Sequence, residues 1–303
     1  MKGINNVVLI SLSLIFCVGC DKDYKLVKSD DNRVSFDVRV SGVAEQAQTK
    51  GTLIDDNSSS SITSFKLISW KGSDPFYPAT AGTSAEIEYK DSKWQPSSGN
   101  SPEWPASEDV TFFTAANLPS SGASWTSVSS SSASLTYTVP QTASAQNDIL
   151  LGGYKGQGET VNNTNGVAKI HFCHPLTALV LKKGKFDNVT SITFKSISIQ
   201  GVYSSGTVTQ SFNAQKEVSF SWNTSESTTQ TVTLASASGL TVGTDDVIGE
   251  PFLLIPQDLS SASITITVEA QIDGTTDVTY GKTLNSGEWQ AGKINTYTLG
   301  NEA

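Results

Sequence analysis

The residues best suited to chemistry stand together in Ile170-His171-Phe172-Cys173-His174-Pro175, which holds both histidines of the 303-residue chain. Imidazole and thiolate are zinc ligands, and a thiolate beside an imidazole is the arrangement of a nucleophilic cysteine. On a strand, His171 and Cys173 point to one side and Phe172 and His174 to the other. The set cannot converge on one ion without a bend, and the sequence has no second cluster of ligands. Cys173 and His171 share a face, but a small buried cysteine is far commoner than a nucleophile. The expectation is one histidine packed in or near the core, one more exposed, and no metal.

Other candidate groups are scattered. Acidic pairs occur at Asp30-Asp31, Asp55-Asp56 and Asp245-Asp246. Glycoside hydrolysis needs two carboxyls facing each other across a bond, whereas these adjacent residues beside Asn57 or Thr244 read as solvated turns. No Asp-x-Asp-x-Asp loop supports calcium. The sequence has no Gly-x-Ser-x-Gly elbow, no Gly-x-Gly-x-x-Gly after a strand and no Walker loop. Trp94 and Trp104, near turns, are candidates for exposed, sugar-stacking rings, and Trp125 joins them; Trp222 alternates with Val218 and Phe220 and reads as core. No catalysis and no cofactor are expected.

The elements that must carry these residues are strands. Val34-Ser35-Phe36-Asp37-Val38-Arg39-Val40 alternates apolar and polar without a break. So do Leu135 to Val139, Val218 to Trp222 and Ile264 to Ile272, each with one face for a core and one for solvent. Turn signals such as Asp273-Gly274 and Asn285-Ser286-Gly287 separate the runs. Helical periodicity is missing, and the predicted class is all-β, with the short alternating runs of a β-sandwich. The Gly/Asn-rich stretch from Gly152-Gly153 to Asn165-Gly166 reads as a boundary, dividing the chain into a β-sandwich over 34–165 and a second over 166–303.

Composition agrees with this class. Ser and Thr number 44 and 33, about a quarter of the chain, while 37% of residues are hydrophobic and 16% charged. Thr is β-branched and Ser holds helices poorly. The formal charge is −9 and the only arginines are Arg33 and Arg39, so the chain is not built to bind phosphate backbones and no nucleic-acid partner is expected.

The N-terminus is a targeting signal. Lys2 precedes an uncharged stretch from Val7 to Val18, too short to span a bilayer and laid out as a secretory signal. It ends in Phe16-Cys17-Val18-Gly19-Cys20, which looks like a bacterial lipobox. Residues 1–19 are then a lipoprotein signal peptide, Cys20 the acylated first mature residue and 20–33 a tether. Cys173 becomes the one free thiol and no intramolecular disulfide forms.

A series of ordered landmarks makes the reading more specific. Thr49-Lys50-Gly51-Thr52 follows the first strand. Trp94, Trp104-Pro105 and Val110 to Ala115 then Pro119 form a Trp…Trp-Pro…Phe-Phe…Pro succession. Gln146 to Leu150, His174 with Leu176 to Leu179, Phe252 to Gln257, and Trp289 to Lys293 with Tyr297 to Leu299 complete it. In this order the chain resembles the fimbrillin family of Bacteroidales lipoproteins, subunits of type V pili, over most of residues 34–300.

The resemblance implies two tandem transthyretin-like β-sandwiches. It also implies a lipoprotein of the outer membrane, surface-exposed, from which a trypsin-like protease removes an N-terminal segment. Removal strips one edge strand, and a strand from a neighbouring pilus subunit fills the groove by β-strand addition. The candidate removable strand is Val34 to Val40, with Phe36, Val38 and Val40 as its plugs. The candidate cleavage sites are Lys50, Arg33 and Arg39: a cut after Lys50 removes the whole strand, a cut after Arg33 leaves it, and Arg39 lies within it. Only Gly300 to Ala303 follow the closing strand, which points to a tip or accessory subunit with a host or bacterial surface ligand. The function expected is thus a structural or adhesive pilus subunit without catalysis. The alternative is a surface glycan-binding lipoprotein using Trp94, Trp104 or Trp125.

Overall fold

The alternation of Val34 to Val40 becomes the first strand, β1 (Ser35–Val40), buried at every second residue. A computed structural model of the chain describes residues 33–40, 62–105, 108–157, 167–243, 246–260 and 263–300. The described residues form an all-β protein, with a three-residue helical turn at Ala143–Ala145.

β1 runs parallel to β10 (Val167–Cys173), in register from Ser35↔Val167 to Val40↔Phe172. β10 is antiparallel to β9 (Leu150–Gln157), β9 to β6 (Asp109–Ala116) and β6 to β2 (Ser64–Lys71). β2 is antiparallel to β4 (Ala85–Lys90) and β4 to β5 (Lys93–Pro96), which meets β1 at Phe36↔Trp94. These seven of the sheet's eight strands therefore close into a ring, with the short β3 (Asp74–Pro75) added on β2. The ring encloses a core that includes Phe36, Phe65, Ile87, Phe112, Leu150, Ile170 and Phe172.

A second core lies between the remaining sheets. β12 (Ile192–Tyr203) sits between β15 (Thr229–Ala235) and β18 (Ile264–Ile272), with β19 (Thr276–Leu284) outside β18. β11 (Thr177–Lys183) sits between β16 (Phe252–Leu254) and the parallel β21 (Ile294–Leu299). β8 (Ser132–Thr138) pairs with β7 (Ala123–Val128) and with β13 (Ser205–Phe212), which pairs with β14 (Val218–Asn223). β17 (Gln257–Asp258) and β20 (Glu288–Trp289) form a small ladder of their own. Ile264, Ile266, Val268 and Ala270 of β18 point into this core, as strict alternation requires, together with Phe194, Ile197 and Ile199 of β12. Asp273 and Gly274, both at positive φ, turn β18 into β19.

The expected division at 165/166 falls in residues 158–166, outside the described residues, and ladders run across it. β10, just after it, is paired with β1 and β9, whereas β7 and β8, before it, belong with β13. The Gly152-Gly153 end of the expected boundary is not a loop at all but the middle of β9. Glycine is there for space: a Cβ on Gly152 would lie 2.4 Å from the His171 carbonyl oxygen, and one on Gly153 2.4 Å from that of Phe112. Composition reads such glycines as flexible, but packing makes them strand residues.

The two cores are joined through β6 and β9. Phe113 of β6 meets Phe212 of β13 with ring centroids 5.5 Å apart. The buried Gln210 donates from Nε2 to the Thr114 carbonyl at 3.0 Å, and Trp222 Nε1–H donates to the Pro175 carbonyl at 2.8 Å.

Two glycine substitutions test this packing. Gly153→Ala should destabilise the fold by about 3 kcal/mol, at the upper end of overpacking costs, because backbone blocks the new methyl. Gly281→Ala in β19, where a Cβ meets nothing within 4 Å, should change stability by less than about 0.5 kcal/mol. Denaturant melts of both variants, read at constant slope, check the pair.

Candidate strand-acceptor groove

β1 and the residue before it present four apolar side chains to the first core: Val34 at 2% exposure, Phe36 and Val38 at 7% each, and Val40 at 4%. Phe36 is the anchor. Its ring stands edge-on to Phe65 (5.9 Å, 84°) and to Phe112 (5.9 Å, 65°). Phe65 in turn packs on Phe172 of β10 and on Trp94 of β5. Edge-to-face pairs of this kind add to the stabilisation that burial supplies. The walls of the groove are therefore β10 and β5, and its floor is Phe65 and Phe112.

The wall beyond the floor is also aromatic. Trp104 stacks edge-on to Phe112 and to Tyr154. Burial pushes the Tyr154 hydroxyl above its ordinary pKa, and the nearby Asp109 charge pushes the same way. The Tyr154 hydroxyl is thus neutral at physiological pH.

The two arginines expected as cleavage sites both lie in ordered backbone. Arg33 bridges to Glu103, its Nη1 donates to the Ser101 carbonyl at 3.1 Å, and the adjacent Val34 N–H donates to the Pro102 carbonyl at 2.9 Å. Arg39 lies inside β1 opposite His171, with Nη2 3.4 Å from Asp37 Oδ2 on the outer face. Lys50 and the expected lipid-bearing Cys20 lie outside the described residues.

The histidine–cysteine segment alternates as expected. His171 is exposed, Phe172 buried, Cys173 half-buried and His174 buried. His174 Nδ1–H donates to Asp148 Oδ1 at 2.9 Å, a pairing that spacing alone could not show because 26 residues separate them. Among the described residues no group of three or more His, Cys, Asp or Glu side chains could hold a metal ion. Nor is any helix there long and apolar enough to cross a membrane.

The tryptophans expected at the surface are in packing. Trp104 is 4% exposed. Trp94 is half-buried between Phe65 and Tyr89, and Trp125 is half-buried with its indole N–H sealed from solvent. Nearness to a turn did not expose them, because the segments carrying them fold onto the two cores. Of the expected acidic pairs, Asp246 alone is described, at positive φ in a turn. Phe65, Phe112 and Phe172 had no sequence signal as groove residues. Val34 did have one, since it begins the same alternation as Phe36.

The family model described as fimbrillin-like matches residues 49–302. The chain belongs to the fimbrillin-like family. Among solved structures, this fimbrillin-like chain resembles a protein of Bacteroides ovatus provisionally named a cell adhesion protein. That match has a TM-score of 0.55 at 13% identity and covers 91% of this chain and 94% of that one. A fimbrial protein of Bacteroides vulgatus matches with a TM-score of 0.53 at 12% identity, covering 88% and 94%. A protein of Bacteroides uniformis, also provisionally named for cell adhesion, gives 0.52 at 15% identity over 90% and 94%. At these identities the likeness is one of fold. Among curated proteins no sequence match was found.

The anchor role of Phe36 can be measured in this fimbrillin-like chain. Phe36→Ala should cost about 3–5 kcal/mol of stability. If β1 opens locally, trypsin cleavage after Arg39 should accelerate about a hundredfold. Asp37→Asn, which weakens the half-buried Arg39–Asp37 pair on the outer face, should change either quantity little, by less than about 1 kcal/mol. Limited proteolysis timed against melting temperature distinguishes the two variants.

Proposed function

We propose that this protein is a structural and adhesive subunit of a bacterial surface pilus that assembles by β-strand addition. The single observation that carries this reading is β1. It is short, apolar on alternate residues and fully engaged in the ring core, yet it is joined to the rest of the ring by one full ladder, to β10, and by the single Phe36↔Trp94 bridge to β5. Its removal leaves the β10 edge unpaired and uncovers Phe65, Phe112 and Phe172. An extended strand from a neighbouring subunit, apolar at every second residue, restores both the ladder and the burial. Membership of the fimbrillin-like family supports the pilus setting.

In this account the chain reaches the outer membrane as a lipoprotein through acylated Cys20, and the protein has no enzymatic role. A protease then separates β1 from the body. Arg33 and Arg39 are poor sites in the folded subunit because a protease needs an extended, released backbone. A cut on the C-terminal side of β1, as after Lys50, is the one that frees the strand. Glycan binding through Trp94, Trp104 and Trp125 gains no support from rings that are buried or half-buried against the cores.

A cross-link decides the matter in the full chain. Asp37 and Lys169 are register partners with outward side chains, so Asp37→Cys with Lys169→Cys ties β1 to β10. The expected result is a surface-located subunit that stays monomeric when oxidised and polymerises on addition of reductant. Equal polymer yield from oxidised double variant and wild type would overturn strand replacement. N-terminal sequencing of the polymerised protein should find a start beyond Val40.

A further inference from the structure

Loss of β1 would leave β10 held at one end only. Six register pairs join β10 to β1, while only His171, Phe172 and Cys173 pair with β9. The residue directly after β10 is His174, whose Nδ1–H donates to Asp148, two residues before β9, at 2.9 Å. The two side chains are 5% and 0% exposed. Asn117, directly after β6, donates from Nδ2 to the Asp148 carbonyl at 2.9 Å. The ends of β6, β9 and β10 thus meet at one corner. The second core closes it: Leu176, Ala178, Leu253, Gly292 and Lys293 surround the pair, leaving a cavity of about 10 Å³. Tyr137 of β8 lies near the carboxylate, and its hydroxyl pKa is pushed up by burial first and by the Asp148 charge second.

A buried carboxylate and a buried imidazole are each unfavourable alone, so each fixes where the other must be. We propose that the Asp148–His174 pair positions the acceptor strand. It holds the C-terminal end of β10 against β9 while the β1 site is open, and so keeps the free edge in register for the incoming strand. The proposal rests on the strand-replacement reading above and names positioning residues for it. While β1 is in place its own ladder holds β10, so the pair matters most after β1 has left.

The test uses matured protein, taken from cells with its N-terminal segment removed, and a fluorescent peptide with the sequence Val34 to Val40. Uptake is followed by anisotropy. His174→Gln cannot place an N–H where Nδ1 lies and should reduce uptake about tenfold or more, the worth of a hydrogen bond to a charged group. His174→Asn does place one there and should recover uptake to within about threefold of wild type. The melting temperature of the uncleaved chain is the second readout: a merely structural role lowers it as strongly as it lowers uptake, whereas a positioning role lowers it far less. Should His174→Gln fail to accumulate, Asp148→Asn keeps the shape without the charge and should reduce uptake by about threefold or more. Uptake by His174→Gln, or by Asp148→Asn in its place, equal to wild type overturns the positioning role alone. Wild-type matured protein that takes up no peptide overturns strand replacement, and the positioning role with it.

Discussion

The ring around the first core closes only because β1 finds β10, from Ser35↔Val167 to Val40↔Phe172. Everything else in that ring is built from antiparallel neighbours. The β1–β10 ladder alone is parallel and joins segments more than a hundred residues apart, the kind of contact whose loop entropy must be met before it contributes anything. What offsets that entropy is the inner face of the strand. Burying a Val or Phe side chain contributes about 1.5–3 kcal/mol, so Val34, Phe36, Val38 and Val40 together contribute on the order of 6–12 kcal/mol as an upper estimate. That is comparable to the whole stability of an ordinary domain. A body without β1 therefore carries a standing free-energy incentive to acquire an equivalent strand, and the same number sets how tightly a replacement could be held.

Under the proposed strand replacement such a body would have to survive the loss, and the architecture offers a reason why it could. β6 and β9 are buried on both faces: one faces the ring core, and the other meets Phe212, Gln210 and the sheet that carries them. β10 leads through the three-residue connection His174-Pro175-Leu176 into β11 of the second core, and Trp222 holds the Pro175 carbonyl. Three of the ring's strands are thus secured from outside the ring. β4 and β5, on the far side, rest mainly on β2 and on the aromatic pile of Phe65, Trp94 and Tyr89. The ring is stiff where it touches the second core and more dependent on β1 where it does not.

Much of this was legible in the sequence where each strand keeps its period. β18 appears with the bounds its alternation predicts, β1 and β14 match theirs within a residue, and β8 begins three residues before the Leu135 start its alternation predicts. β12 was harder, because register shifts between Phe194 and Ser196 and between Gln200 and Val202 break its alternation. At the second shift Gly201 takes φ 91°, with its Cα so close to Ser263 that a Cβ would lie 2.7 Å from that carbonyl oxygen. The groove was only half legible. Its plugs share one strand and announce themselves by spacing, but its floor and walls are assembled from β2, β6, β10 and β5, whose meeting is a property of pairing order. Asp148 and His174 were visible as separate landmarks and not as partners for the same reason. Trp104 and the glycines of β9 misled because local composition cannot report what packs against a residue from elsewhere in the chain.

The Ser/Thr-rich surface follows from the same architecture. A protein made almost wholly of sheets must cover many outer faces without helices and without inviting stray strand pairing. Here hydroxyls pair across the strands: Ser134 with Thr209 at 2.9 Å, Thr136 with Thr207 at 3.2 Å, Ser211 with Ser219 at 2.9 Å and Thr265 with Thr283 at 3.3 Å. These pairs satisfy polar groups laterally and favour β-structure. The outer faces are also nearly free of large apolar side chains, since Tyr89 and Val242 are the only large exposed hydrophobics among the described residues. Apolar complementarity is thereby reserved for the cores. In the proposed assembly a partner strand with alternating apolar residues takes the place of β1, and the faces around it offer hydroxyls that water serves equally well.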